Sequence, residues 1–397
     1  MRPADHRPGA ARDRLRQLCG RAAAAPADPA LEGLESAAAT PETDLSVDRR
    51  RRSEEALRQA ISRGAAEPGA PPVDPDETER VVGLATRAME KLAAEGPEAD
   101  LDRMEEMGLE AVIATDGSRP SALIRDGFVD MADPRLGDWA DDLGTDPDAV
   151  RRAIAATGRV LRGGDLSDTR VFGTAWMIAP GLAATARHVV EAIWEQHGGV
   201  WIEKFGGPVT LDFGVEAGRD PDPAARIGVR GVTWASDTEI RHALNLANLD
   251  VAILELDAEG PPPLAVAGTL PMGGAEPRIH VIGHPMKPSG FGALAQPEFE
   301  RIREVVFGSV FGVKRWAPGL IVLGPGSLPD DRDLRRVMTH DAATLGGNSG
   351  SPLLDLLDAP DRALGLHYGG FFEEENYAHP LGRVRDLLAG LPLRWIG

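Results

Sequence analysis

The chain has 397 residues, a formal net charge of −19 and a hydrophobic content of 42%. That length accommodates two or three domains and a sizeable core, and the hydrophobic content is ordinary for a globular protein. The negative charge argues against a general nucleic-acid binder and against an anionic membrane surface, and a lone Cys19 excludes an intrachain disulfide framework and suits a reducing compartment.

Residues 1–73 are rich in Ala, Pro, Arg and acidic residues and poor in large apolar ones, so they read as low-complexity, disordered or loosely helical, with a short helix over Ser53–Ser62 and no evident core. The run Arg49–Arg52 is followed at once by Glu54 and Glu55 and reads as the solvated end of a helix. Met1–Arg7 is charged with no apolar stretch after it, so no secretion signal is visible and the expected location is cytoplasmic. Residues 74–157 read as a small α/β accessory or regulatory region. Asp74-Pro75 caps a helix with Val81, Ala85, Ala88 and Leu92 at helical spacing, ended by Gly96-Pro97. Leu101, Met104 and Met107 suggest a second helix closed by Gly108. Ala111–Thr115 and Ala122–Arg125 bracket Asp116–Pro120 as a hairpin, and Asp146-Pro147 opens a last helix that stops at Gly158.

From residue 159 the pattern changes to short apolar runs separated by Gly, Pro and Asp, the signature of an all-β architecture. The runs are Val160-Leu161, Val171–Ile178, Val209–Phe213, Ile227–Trp234 and Val251–Leu256. After the stiff Pro261–Pro263 come Ile279–Ile282, Ile302–Val313, Ile321–Leu323, Arg336–Thr339, Leu353-Leu354 and Ala363–His367. Pro380–Leu391 reads as a closing helix. The uncharged stretch Val171–Ala186 is broken by Gly173, Pro180 and Gly181, so it reads as two strands and a turn and not as a membrane span.

One hexapeptide concentrates chemistry: Gly347-Asn348-Ser349-Gly350-Ser351-Pro352, a serine between glycines on a loop entering an apolar strand. A bare serine is a poor nucleophile at neutral pH and needs a base and a group to orient that base. His188, after an apolar run, and Asp250, before another, supply them in the chain order His, Asp, Ser. His280, His284 and His340 compete with His188, and Asp237 and Asp257 with Asp250. His340 leads into the Ser349 loop, His280 and His284 read as strand-end residues, and Asp257 ends the strand that Asp250 begins. No metal cluster, phosphate-binding glycine loop or nucleotide motif is evident, so no cofactor and no metal are expected.

At these residues the chain resembles the trypsin/chymotrypsin-fold serine peptidases, in their bacterial, disulfide-free branch. The Gly347–Pro352 spelling is similar to that of the bacterial glutamyl endopeptidases. Val171–Ile178, the His188, Asp250 and Ser349 segments, and Gly365–Gly370 match in order, so the resemblance covers residues 158–397. It implies a mainly β fold of two six-stranded antiparallel β-barrels, residues 158–260 and 261–397, with a C-terminal helix and a helix-rich α+β N-terminal extension. It implies a Ser349–His188–Asp250 triad, an oxyanion hole from the N–H groups of Gly347 and Ser349, and a protein or peptide substrate pairing with Leu366–Gly369, past Tyr368 and Gly369. The pocket base falls on Ala343, which disfavours Lys or Arg, although Asp341 is close by. Thr344 and His367 match the positions that bind the substrate carboxylate in glutamyl endopeptidases, implying cleavage after Glu or Asp. Asn348 stands where zymogen-activated members carry an aspartate, so activation by a new N-terminal ammonium is not expected. Three functions remain open: an active cytoplasmic endopeptidase, a bacterial effector or defence protease regulated by a partner at residues 1–157, and a non-catalytic peptide-binding protein on a peptidase fold.

Overall fold

A computed structural model of the chain describes residues 14–15, 18, 45–65, 73–96, 99–163, 170–204, 206–240, 246–270, 277–286, 310–357, 362–370 and 376–397. They fall into two compact units, divided between Pro120 and Ser121. The division lies inside the span 74–157 that reads as one region from sequence.

Among the described residues the first unit contains the helices α1 (Val47–Ala65), α2 (Pro75–Glu95) and α3 (Arg103–Ile113). α1 extends beyond Ser53–Ser62 and is not coreless: Leu57 and Ile61 are buried with Val81, Ala85, Met89 and Leu92 of α2 and Leu109 and Val112 of α3. α2 begins as its sequence dictates, with the Asp74 carboxylate accepting from the Asp76 N–H at 2.9 Å. α3 does not stop at Gly108. A Cβ at that position would lie 2.7 Å from the Ala85 nitrogen, so the glycine serves a backbone-to-backbone helix crossing and not a helix end.

In the second unit, β1 (Ala122–Arg125) and β2 (Phe128–Val129) form a hairpin, turned by Asp126 at φ 50° and Gly127 at φ 74°. This Asp-Gly pair with positive φ at both residues is the favoured two-residue hairpin turn. The hairpin expected around Asp116–Pro120 does not form, because α3 takes up residues 111–113. Two further helices, α4 (Ala140–Gly144) and α5 (Pro147–Ala156), follow, the second capped by Asp146, which accepts from the Ala149 N–H at 2.9 Å.

The first barrel starts on the residue after α5. It comprises β3 (Thr157–Arg162), β4 (Arg170–Ala179), β5 (Leu182–Thr185), β8 (Val209–Asp212), β9 (Arg226–Ala235) and β10 (Ala252–Leu256), closed in the order β10-β5-β4-β3-β8-β9. Helix α6 (Arg187–Ile193) and a separate hairpin of β6 (Trp194–His197) and β7 (Val200–Glu203) are inserted after β5. The second barrel follows a short strand, β11 (Ala265–Ala267). Its members are β12 (Arg278–Gly283), β13 (Arg315–Leu323), β14 (Met338–His340), β15 (Pro352–Asp355), β16 (Arg362–Gly370) and β17 (Asn376–Pro380). The ring β12-β15-β16-β17-β14-β13 closes through β12–β13 pairing, and all of its pairs are antiparallel.

Of the run Ile302–Val313, residues 302–309 lie outside the described residues and 310–313 are not in a strand. The strand there is β13, whose internal Pro318-Gly319 breaks the apolar pattern. A Cβ on Gly319 would lie 2.5 Å from the Ala342 nitrogen, which explains the glycine. The closing helix is a 3₁₀ segment, Leu381–Leu388, kinked at Val384 and followed by β18 (Trp395–Ile396). Among the described residues no helix is long and apolar enough to cross a membrane.

Candidate functional site

β5 ends at Thr185 and α6 begins at Arg187, which puts His188 in the first helical turn, where N–H groups lack partners within the helix. The His188 N–H donates to Asp250 Oδ1 at 2.9 Å, and the other carboxylate oxygen lies 2.6 Å from His188 Nδ1. One carboxylate therefore holds both backbone and ring. The register supports this, because β10 places Ala252 opposite Thr185, with Asp250 and His188 just beyond the paired ends.

Asp250 is buried, and its own N–H donates to His379 Nε2 at 2.9 Å. His379 Nδ1 lies 2.8 Å from the Arg336 carbonyl, which can only accept, so Nδ1 carries the proton and Nε2 is the acceptor. Burial pushes the His379 pKa down and favours this neutral form. For His188 and Asp250 burial also disfavours charge, but their mutual attraction and hydrogen bonds outweigh it. His188 is held above the ordinary imidazole value and Asp250 below the usual carboxylate range.

Ser349 lies on the loop between β14 and β15, half-buried. Successive carbonyls of this loop are tied: Gly346 O accepts from the Met286 N–H at 2.7 Å, Asn348 O from the Ser351 N–H at 2.9 Å, and Ser349 O from the Thr174 N–H at 2.9 Å. In a trans peptide the N–H points opposite to the carbonyl. The N–H groups of Gly347 and Ser349 thus face away from Met286 and Ser351, and neither donates to an acceptor among the described residues. Gly347, at φ 94°, permits this path; a Cβ there would lie 2.4 Å from the His284 oxygen. Gly350, at φ 92°, lets the loop lie on the first barrel, since a Cβ there would come within 2.1 Å of the Thr174 oxygen and 3.1 Å of the Ala186 nitrogen. The Ser349 loop and the start of α6 are therefore adjacent. No hydrogen bond joins the Ser349 hydroxyl to His188 among the described residues; such contacts commonly tighten when substrate binds.

The remaining sequence candidates line the second barrel. β15 pairs with β16 only as far as Leu366, whereas β17 continues alongside Gly369 and Gly370. Among the described residues, one edge of Tyr368–Gly370 is thus free of a neighbouring strand. Tyr368 is buried and stacks on His379, centroids 4.1 Å apart, and burial pushes its phenol pKa up. His367 Nδ1 lies 3.1 Å from His340 Nε2, and both rings are buried. Burial drives His340 down to about 4 and His367 well below its ordinary value, so both are neutral near pH 7. Thr344 Oγ1 donates to Asn376 Oδ1 at 2.5 Å, while Asn376 Nδ2 donates to the Ala342 carbonyl at 2.8 Å, which fixes the amide orientation. Asp341 Oδ1 accepts from the Leu320 N–H at 2.8 Å.

The rivals separate from this constellation. His280 stacks on Trp316 and faces Asp142, and His284 lies beneath the Gly347 turn. His379 and Met286 contribute contacts that sequence reasoning missed. Nothing in their local patterns marks them, since each acts on a backbone group of a distant segment. Among the described residues no group of three or more His, Cys, Asp or Glu side chains is arranged to hold a metal ion.

Comparison with known proteins adds the following. Residues 173–359 match the trypsin-like peptidase domain. A probable serine protease of Lysobacter enzymogenes is 31% identical over 342 residues, spanning 82% of this chain and 87% of the relative. Among solved structures, the active form of the Rv3671c protease of Mycobacterium tuberculosis is 20% identical, covering 64% of this chain and 89% of that chain at a TM-score of 0.37. Neuropsin, a serine protease of mouse brain, is 13% identical, covering 60% of this chain and 95% of that chain at a TM-score of 0.41.

Proposed function

The chain belongs to the trypsin-like serine proteases, and from that premise we propose that it is an endopeptidase working through Ser349, His188 and Asp250. Ser349 Oγ attacks the scissile carbonyl carbon while its proton passes to His188 Nε2. The N–H groups of Gly347 and Ser349 stabilise the resulting oxyanion. The C–N bond then breaks, His188 returns the proton to the leaving amine, and water releases the acyl group by the same steps. Asp250 keeps the ring in the tautomer with Nε2 open and stabilises the imidazolium. The observation that carries this reading is the double hold of Asp250 on His188, at 2.9 and 2.6 Å, beside two unused loop N–H groups. The experiment is labelling with a serine-reactive fluorophosphonate together with peptide hydrolysis. Ser349→Ala should abolish labelling and lower the rate on the order of 10⁴-fold. A wild-type protein that neither labels nor hydrolyses would favour the non-catalytic peptide-binding alternative.

For specificity, the proposed preference is for Glu or Asp, as in the glutamyl endopeptidases, and it rests on His367. Thr344 spends its proton on Asn376, so it has none to offer a carboxylate. If His340 Nε2–H donates to His367 Nδ1, then His367 Nε2 carries a proton and can donate to an acidic side chain. Asp341 is engaged with the backbone of β13, which weakens the case for basic substrates. Peptide-library profiling tests this: preferred cleavage after Glu or Asp, lost in His367→Ala, is expected. A preference for Lys, Arg or a large apolar residue would sink it.

Regulation by a partner is a second reading, favoured by the separate core of the unit that ends at Pro120. The neutral Asn348 gives no full charge to pair with a new N-terminal ammonium, so the N-terminal residues can remain attached in an active enzyme.

A further inference from the structure

The carbonyls of Leu345, Gly346, Asn348 and Ser349 are held by backbone N–H groups, but that of Gly347 is held by a side chain. Thr174 Oγ1 donates to Gly347 O at 2.8 Å and accepts from the His284 N–H at 3.1 Å. Its single proton has one strong destination. The Gly347 carbonyl can only accept, whereas His284 Nδ1 is 3.5 Å away. Thr174 is fully buried on β4, so water does not compete for its hydroxyl. The same residue's N–H holds Ser349 O, and its carbonyl accepts from Thr185 Oγ1 at 2.8 Å, on the strand that leads to His188.

We infer that the Thr174 hydroxyl is a positioning residue for the oxyanion-binding loop: together with the Asn348 N–H, which donates to Leu345 O at 3.1 Å, it fixes the Gly347–Asn348 peptide and thereby the two flanking peptides whose N–H groups, those of Gly347 and Ser349, are aimed at the reacting carbonyl. Gly346 and Gly347 are adjacent glycines, so rotation of this stretch meets little steric resistance of its own. Gly347 sits at φ 94°, flush against the segment His284–Met286. Thr174 bridges that segment to the loop, because one oxygen takes the His284 N–H and gives its proton to Gly347 O. Without the hydroxyl, two buried backbone groups lose their partner, and a turned peptide that satisfies them elsewhere gains population at the expense of the aligned one. The effect falls on the transition state, since only there does charge develop on the substrate oxygen.

This inference rests on the Ser349 triad proposed above, and the test separates the two. Thr174→Val keeps shape and removes the hydroxyl, and Thr174→Ser restores it. The expected result is a kcat about 10- to 100-fold lower in Thr174→Val, below the full loss of an oxyanion donor, with KM within about threefold of wild type. Affinity for a peptide boronic acid, which forms a tetrahedral adduct with the serine, should fall in parallel with kcat/KM, and Thr174→Ser should recover most of both. Should Thr174→Val fail to fold, Thr174→Ala carries the same expectation. A folded variant lacking the hydroxyl that keeps wild-type kcat and boronate affinity, or that changes only KM, overturns the inference while leaving the triad intact. A wild-type enzyme that neither turns over peptide nor forms the adduct overturns both.

Discussion

At His188 two opposing influences meet. Burial disfavours the imidazolium, and the Asp250 carboxylate, with a further contribution from Glu191, more than offsets it, so the proton is held to a higher pH than on a free histidine. A general base must be neutral to accept the serine proton. A raised pKa therefore places the acidic limb of the kcat/KM profile above the ordinary imidazole value of about 6.5. Glu191 does not touch the ring; it holds Arg187 Nε at 2.6 Å and the Ile240 N–H at 3.1 Å. Glu191→Gln should thus shift the acidic limb to lower pH while leaving the plateau rate within a few-fold of wild type. A pH–rate profile of both proteins checks this, and an unmoved limb would remove Glu191 from the electrostatics of the base. At this scale the residue types were legible in the sequence, because a serine between glycines with His and Asp upstream needs only order and spacing. The supports were not. Thr174 and His379 act on backbone groups of residues more than 100 positions away, Met286 on one 60 positions away, and no local pattern records such a contact.

At the scale of elements, β13 links residues 121–157 to the barrels. Lys314, just before this strand, is fully buried, and its ammonium donates to the carbonyls of Ile154 at 2.7 Å and Phe213 at 2.9 Å. Burial lowers its pKa to about 8, so near pH 7 it is a buried cation held by carbonyl oxygens at the end of α5 and beyond β8. Its neighbour Arg315 donates to the Ser121 carbonyl at 2.6 Å, and β1 pairs directly with β13, Ala122 opposite Trp316. The helices here were readable from their caps, as Asp74 and Asp146 demonstrate. The expectations fail where tertiary packing, or a stronger turn elsewhere, overrides the local pattern. Gly108 permits a helix crossing, Gly319 a close approach to Ala342, and Asp126-Gly127 claims the turn assigned to Asp116–Pro120. The periodicity of an element reports which face it buries, not how close the neighbouring backbone will come.

For the whole molecule, these links determine where the chain can be cut. Residues 121–157 look from sequence like part of an extension that precedes the barrels, yet Ile124, Val129, Leu136, Trp139, Leu143, Val150 and Ile154 share one buried cluster with Trp176, Ile253 and Trp316. Exposing those partners would cost on the order of 10 kcal/mol, comparable to the roughly 5–15 kcal/mol that holds a domain together. Lys314 and Arg315 would also lose carbonyl partners inside the protein, adding about 1–3 kcal/mol each. Deletion of residues 1–157 should therefore yield an aggregating or molten chain that a fluorophosphonate does not label. Deletion of residues 1–120 follows the division between the two units and should leave a chain that unfolds cooperatively, by calorimetry, and reacts with the probe at Ser349. Comparing its labelling rate with that of the full-length protein then measures regulation. A sharp rise means that the first unit restrains the enzyme, and an equal rate means that it does not. A soluble, cooperatively folded and reactive product of the 1–157 deletion would show instead that the barrels stand without β1, α4 and α5, and that the shared core is dispensable.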